Sequence, residues 1–200
     1  HGIGALLISF NWATYIWAVS NEQVLQASLG YFLNPLVNVL AGLLIFKEKL
    51  RFWQWIAVGL ACAGVVISAV ALGELPVIGL ILAFSFGIYG ALRKLLTVEA
   101  VPGLFVETLL LGPVALGYLL WLAHMGAGQF AVTALSTDLL LIGTGVVTAV
   151  PLLCYVAAAR RLPISTVGML FYLTPTGLFF VAAFVYGEPV TATDLTTFGF

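Results

Sequence analysis

The chain has 200 residues, 62% of them hydrophobic and 8% charged, with a net charge of −1; its mean hydropathy is +1.17. Soluble domains carry roughly 25% charged residues, so a water-facing surface is excluded and the chain reads as an integral membrane protein. No polybasic surface is present, which points to no nucleic-acid partner.

The chain opens at His1 and is apolar from Gly2 onward, without a basic n-region and a small-residue cleavage site, so no signal peptide is read there. It ends at "LTTFGF" inside another apolar run, and is expected to be a fragment of a longer membrane protein. Seven spans are predicted, at about 2–19, 24–46, 52–72, 75–92, 101–123, 137–158 and 164–186, and an eighth begins near 192. Their length and the lack of two-residue alternation predict helices, so the fold class is an all-α polytopic bundle.

The first span carries Asn11, Trp12 and Tyr15 in "FNWATYIW". An asparagine at that depth must face protein or a water-filled cavity. The reading is a polar cavity wall, against a plain interhelical hydrogen bond. The second span holds Asn34, Pro35 and Asn38 in "GYFLNPLVNVL". Pro35 removes a backbone donor and leaves the Tyr31 carbonyl without its usual partner. The asparagines are read as cavity lining, or as groups that mend the backbone around a kink.

Glu48 follows among Lys47, Lys49 and Arg51, which favours a surface ion pair over a gating contact. Cys62 and Cys154 are read as small packed hydrophobes. Ala83, Gly87 and Ala91 form a small-residue stripe for close helix approach, as do Gly59 and Ala63. Glu107 is the carboxylate placed clearly within a span, a candidate for a coupling proton, although shallow enough to reach interfacial water. Pro151, Tyr155, Thr174 and Pro175 follow, and Glu188 comes just after the seventh span. Neither metal-ligand spacing nor a nucleotide or nucleophile motif appears, so no cofactor and no enzyme activity are expected.

All seven basic residues fall in alternate connections, at 47–51, 93–94 and 160–161. The positive-inside rule makes that face cytoplasmic. Sliding the sequence by 140 residues superposes Tyr15 on Tyr155, Tyr31 on Phe171, Phe32 on Tyr172, Leu33 on Leu173, Pro35 on Pro175 and Glu48 on Glu188. Asn11 falls on Pro151 and Asn34 on Thr174. The matched helices are an odd number of spans apart and cross the membrane in opposite directions. That is an inverted repeat, with a site expected near the midplane.

"NWATYIWAVSNEQVLQASLGYFLNPLVNVLAGLLIFKEKLRFWQW", "ETLLLGPVALGYLLWL" and "LFYLTPTGLFFVAAFVYGEP" resemble the RarD-type transporters of the EamA family, in the drug/metabolite transporter superfamily. The resemblance implies a ten-helix protein of the bacterial inner membrane, built of two inverted five-helix repeats. Residues 1–72 would be the remainder of the first repeat and 73–200 the second, its last helix truncated. Family helices four and nine typically end in Gly-Glu; here the first reads Lys47-Glu48, which puts a glycine turn at 47 in doubt. The expected function is secondary transport of small organic solutes, amphipathic or aromatic, by alternating access. The cavity would be lined by Asn11, Trp12, Tyr15, Asn34, Asn38, Tyr155 and Thr174. Pro35, Pro151 and Pro175 would be flexible points, and Glu107, Glu48 and Glu188 coupling or gating groups. The lipid bilayer is the expected surrounding. A membrane scaffold or a lipid-modifying enzyme is the alternative.

Overall fold

A computed structural model describes residues 1–72, 75–128, 130, 134–174 and 177. Its elements are α1 (Gly2–Ser20), α2 (Val24–Leu44), α3 (Phe52–Leu72), α4 (Val77–Leu95), α5 (Ala100–His124), α6 (Leu135–Arg161) and α7 (Ile164–Leu170). Five of these helices, α1, α2, α4, α5 and α6, are long and apolar enough to cross a membrane. The seventh span is described through α7 and a few residues beyond. Pro175, Glu188 and the eighth segment lie outside the described residues.

Uninterrupted apolar sequence makes these helices, because in lipid every backbone group must be satisfied within its own segment. Their ends are set by local breakers. Pro76 and Pro163 stand just before α4 and α7, where a missing N–H costs nothing. Glu22 turns the chain between α1 and α2 at φ 59°. After α2 the Glu48 amide reaches back to the Gly42 carbonyl at 2.9 Å, with Lys47 at φ 53°. The left-handed turn that glycine would supply is thus made by a lysine. Pro35 lies inside α2, which continues through it from Val24 to Leu44.

The bundle is organised around α2, which packs chiefly on α4 and then α7, while α1 packs on α4. Small residues bring these backbones together. A Cβ added at Gly79 would lie 2.8 Å from the Gln26 carbonyl, and one at Gly168 would lie 3.0 Å from the Pro35 carbonyl. Ala83, Gly87 and Ala91 are buried in this interface, whereas an added Cβ at Gly59 meets open space. The outer faces of α3, α5 and α6 expose Phe52, Val66, Leu110, Val114, Leu140 and Val147. In water this would be prohibitive; against lipid it is the expected surface. Cys62 and Cys154 are exposed there too rather than packed, since a thiol is apolar enough to face lipid chains.

At one end of the bundle the three basic connections meet. Lys94 Nζ donates to Glu48 Oε1 at 3.2 Å and to the Leu162 carbonyl at 2.7 Å, and Arg160 donates to the Thr97 carbonyl at 2.9 Å.

Candidate functional site: an aromatic cavity and two polar clusters

A cavity of about 180 Å³ opens between α1, α2, α4 and the residue after α7. Asn11, Trp12 and Tyr15 come from α1, and Ala27, Gly30, Tyr31 and Asn34 from α2. Leu82 and Phe86 of α4 and Phe171 complete it. These positions lie in the later half of α1, the earlier half of α2 and the first half of α4. The cavity therefore sits toward the end of the bundle opposite the basic connections.

Asn11 ties two walls together. Its Nδ2 donates to the Leu82 carbonyl and to Ser85 Oγ, each at 2.8 Å, and Ser85 Oγ donates on to the Ile81 carbonyl at 2.7 Å. Tyr15 and Tyr31 meet edge to face with ring centres 6.4 Å apart. Phe86 meets Tyr155 in a tilted pair with ring centres 4.7 Å apart and meets Phe171 edge-on at 6.0 Å. Asn34 is 8% exposed, and its Oδ1 has no hydrogen-bond partner among the described residues.

Asn11, Trp12, Tyr15 and Asn34 are thus brought together at the cavity. Asn38 and Tyr155, read as cavity residues from sequence, are placed elsewhere. Asn38 is fully buried one turn beyond Asn34, against Gly87 of α4 and Gly168 of α7. Tyr155 packs with Ile8, Tyr89, Val156 and Val167, its hydroxyl over Gly90. Asn34 and Asn38 share a face of α2, but the later turn meets Gly87 of α4 and Gly168 of α7, whose missing side chains let those helices close over Asn38. Thr174 is exposed, and Pro151 is exposed inside α6. Tyr31 and Phe171 line the cavity and are mates at the 140-residue offset, a signal that singles out both. Ala27, Gly30 and Leu82 carry no such signal.

Glu107 reaches no interfacial water, contrary to the expectation from its depth: it is 1% exposed and Arg93 is 0% exposed. The Arg93 Nη1 lies 3.6 Å from Glu107 Oε1, and His1 Nδ1 lies 3.8 Å from the same oxygen. Tyr89 donates to Glu107 Oε2 at 3.0 Å, and Arg93 Nη2 donates to the carbonyls of Glu99 and Ala100. Two glycines make room for the pair. An added Cβ at Gly4 would lie 2.7 Å from Glu107 Oε1, and one at Gly103 would overlap the guanidinium. The cluster sits below the cavity, near the basic end, and does not line it.

Glu48 does not pair with its sequence neighbours Lys47, Lys49 or Arg51. Its carboxylate accepts from the Ile164 amide at 2.8 Å, the Ser165 amide at 3.1 Å, Ser165 Oγ at 2.6 Å and Lys94 Nζ at 3.2 Å. The turn at Lys47 swings Glu48 inward, onto the open amides at the start of α7, where negative charge is favoured. Burial pushes its pKa up, but the hydrogen bonds from Ser165, Ile164 and Lys94 outweigh burial and hold the carboxyl below the usual range. Sequence adjacency hides this contact, because the partners lie more than a hundred residues away.

These features define a polytopic helical membrane protein with an internal aromatic cavity. The EamA-like transporter family model matches residues 2–70. The protein named RarD of Salmonella typhi is 48% identical over 198 residues, 99% of this chain and 67% of that protein. An uncharacterized transporter of Vibrio cholerae is 46% identical over 198 residues, covering 66% of its length. The uncharacterized transporter YojE of Bacillus subtilis is 46% identical over 196 residues, covering 65% of its length. The chain belongs to the RarD-type transporters of the EamA family and spans about two thirds of the length of these relatives. No solved structure matches it.

Proposed function

We propose that the protein is a secondary transporter of the bacterial inner membrane that carries small amphipathic or aromatic solutes by alternating access. The observation that carries this reading is the pairing of an internal cavity with a closed opposite end. Below the cavity, Arg93–Glu107 joins α4 to α5, and the Glu48–Ser165–Lys94 cluster joins the end of α2 to α4 and α7. If the basic connections are cytoplasmic, the structure is a state open outward and closed inward.

The inverted repeat is supported by one contact. The Tyr172 hydroxyl donates to the Phe32 carbonyl at 3.2 Å, and these residues are mates at the 140-residue offset. A residue touching its own mate lies close to the axis relating the two halves. Substrate sites in inverted-repeat transporters lie near such an axis, at mid-depth.

The test is flux in proteoliposomes holding the full-length protein, screened over amino acids, metabolites and drugs. Asn34→Leu should cut flux of any transported solute at least ten-fold while leaving membrane insertion intact. Wild-type uptake and efflux in that variant would remove Asn34 from the site. Chemical conversion of the solute would favour a membrane enzyme instead.

A further inference from the structure

The edge-to-face contact of Tyr15 with Tyr31, ring centres 6.4 Å apart at 79°, occurs twice. Their mates at the 140-residue offset, Tyr155 and Phe171, meet edge to face at 5.4 Å and 66°. Depth is mirrored as well. Tyr15 stands five residues before Ser20 at the end of α1, and Tyr155 six before Arg161 at the end of α6. Ala27 and Val167 are each the fourth residue of their helices, α2 and α7. Of the cavity lining, Trp12, Tyr15, Ala27 and Tyr31 have Leu152, Tyr155, Val167 and Phe171 as mates, and those four pack in one cluster. Pro151, Leu170 and Thr174, the mates of Asn11, Gly30 and Asn34, are exposed and stay outside it.

The two sets differ in what covers them. Tyr15 and Tyr31 are exposed, whereas Tyr155 and Val167 are buried, packed with Ile8, Phe86 and Tyr89 on the side of the basic end. The Tyr155 hydroxyl is sealed there without a hydrogen-bond partner among the described residues, and so is the Asn38 amide beside it. Buried polar atoms in that condition are rare and costly. A second state, in which they meet water, accounts for them. Two halves of one fold can exchange roles at little cost, because each then takes up a packing that the other already shows.

We propose, resting on the alternating-access reading, that Leu152, Tyr155, Val167 and Phe171 form a closed second vestibule, which opens to the basic side and passes the solute on. Phe86 and Phe171 belong both to the cavity and to this cluster and form the partition between them. When the basic end opens, the Tyr155–Phe171 pair becomes a wall of the kind that Tyr15–Tyr31 is now, while Tyr15 and Tyr31 pack shut. Its walls are aromatic like those of the cavity, so both take the same solute.

The test uses the full-length protein, its native cysteines replaced, in sealed membranes where a membrane-impermeant maleimide reaches one side at a time. Val167→Cys reports on the vestibule and leaves the aromatic walls in place. It should label from the basic side and not from the other. Tyr155→Phe removes the unpartnered hydroxyl, whose cost falls on the closed vestibule alone, so it should slow that labelling at least about five-fold. A bulky adduct placed beforehand on Trp12→Cys in the same protein, which props the cavity open, should abolish it. Leu152→Cys is the second reporter if Val167→Cys fails to fold. No labelling of either reporter from the basic side, in protein that transports a solute, overturns the vestibule and leaves the alternating-access reading. Labelling that the adduct leaves unchanged overturns the exchange of roles and that reading together. Unchanged labelling in Tyr155→Phe overturns the assignment of its hydroxyl to the open state.

Discussion

At the scale of single residues, the cost of burying charge decides most of what Glu107 and Arg93 do. Each ion loses water, and the pair is sustained by Tyr89, two backbone carbonyls and the space left at Gly4 and Gly103. Breaking such a pair from one side leaves an uncompensated charge, at a cost of about 3–5 kcal/mol, whereas replacing both partners with apolar groups is often neutral. Glu107→Leu should therefore lower the unfolding free energy of the full-length protein by about 3–5 kcal/mol. Arg93→Met combined with Glu107→Leu should recover most of that loss in the same detergent-denaturation measurement. A double variant that folds well and still fails to transport would give the pair a role beyond stability. The presence of an intramembrane acid was plain in the sequence. Its partner was not, because Arg93 reads as a loop cation at the end of its span.

At the scale of elements, the helices hold together through shape. Lipid tails are as apolar as leucine, so close backbone approach rather than hydrophobic burial drives association. Gly79 and Gly59 separate this effect from helix propensity. Gly79→Ala puts a methyl 2.8 Å from a backbone oxygen of α2, which cannot yield without moving the helix. It should destabilise the protein by about 1–3 kcal/mol. Gly59→Ala meets nothing and should be neutral or slightly stabilising, given the higher helix propensity of alanine. Thermal unfolding of the two variants side by side checks this, and equal effects would sink the packing argument. From sequence the stripe of Ala83, Gly87 and Ala91 and the pair Gly59 and Ala63 looked alike, and Gly79 was not singled out. Only the arrangement of α2 against α4 tells them apart.

At the scale of the whole molecule, Glu48 joins the end of α2 to the start of α7. Four hydrogen bonds converge on one carboxylate, in a place where the two helices must part if the basic end is to open. Glu48→Ala should raise labelling, from the basic side, of a cysteine placed at Phe171 by at least several-fold, with labelling from the other side reduced. Unchanged labelling would mean that Glu48 only caps α7. The pH dependence follows from the sign of its shift. A carboxyl held below its usual range contributes stability that is present above about pH 4.3, the unperturbed value for glutamate, and is lost as pH falls through the lowered one. The stability difference between wild type and Glu48→Gln should stay constant from pH 7 to about 5. It should shrink below that in thermal unfolding. A gap that closes between pH 7 and 6 would contradict the assignment.

The sequence by itself determined the class of protein, the run of spans and the family. Composition sets the solvent and span length follows from bilayer thickness; both are local quantities summed along the chain. It also singled out Asn11, Trp12, Tyr15 and Asn34, since a polar or aromatic residue at mid-depth needs a reason. Which of those residues share a cavity was decided only by the tertiary structure. Asn38 and Asn34 are chemically alike and one turn apart, yet one is sealed between glycines and the other lines the cavity. Likewise Glu48 exchanges the lysines beside it for Ser165, because a left-handed turn at Lys47 re-aims it. The position along α2 at which glycines of α4 and α7 come opposite it, and the packing of a distant segment, set these outcomes, and neither is written in any short stretch of residues.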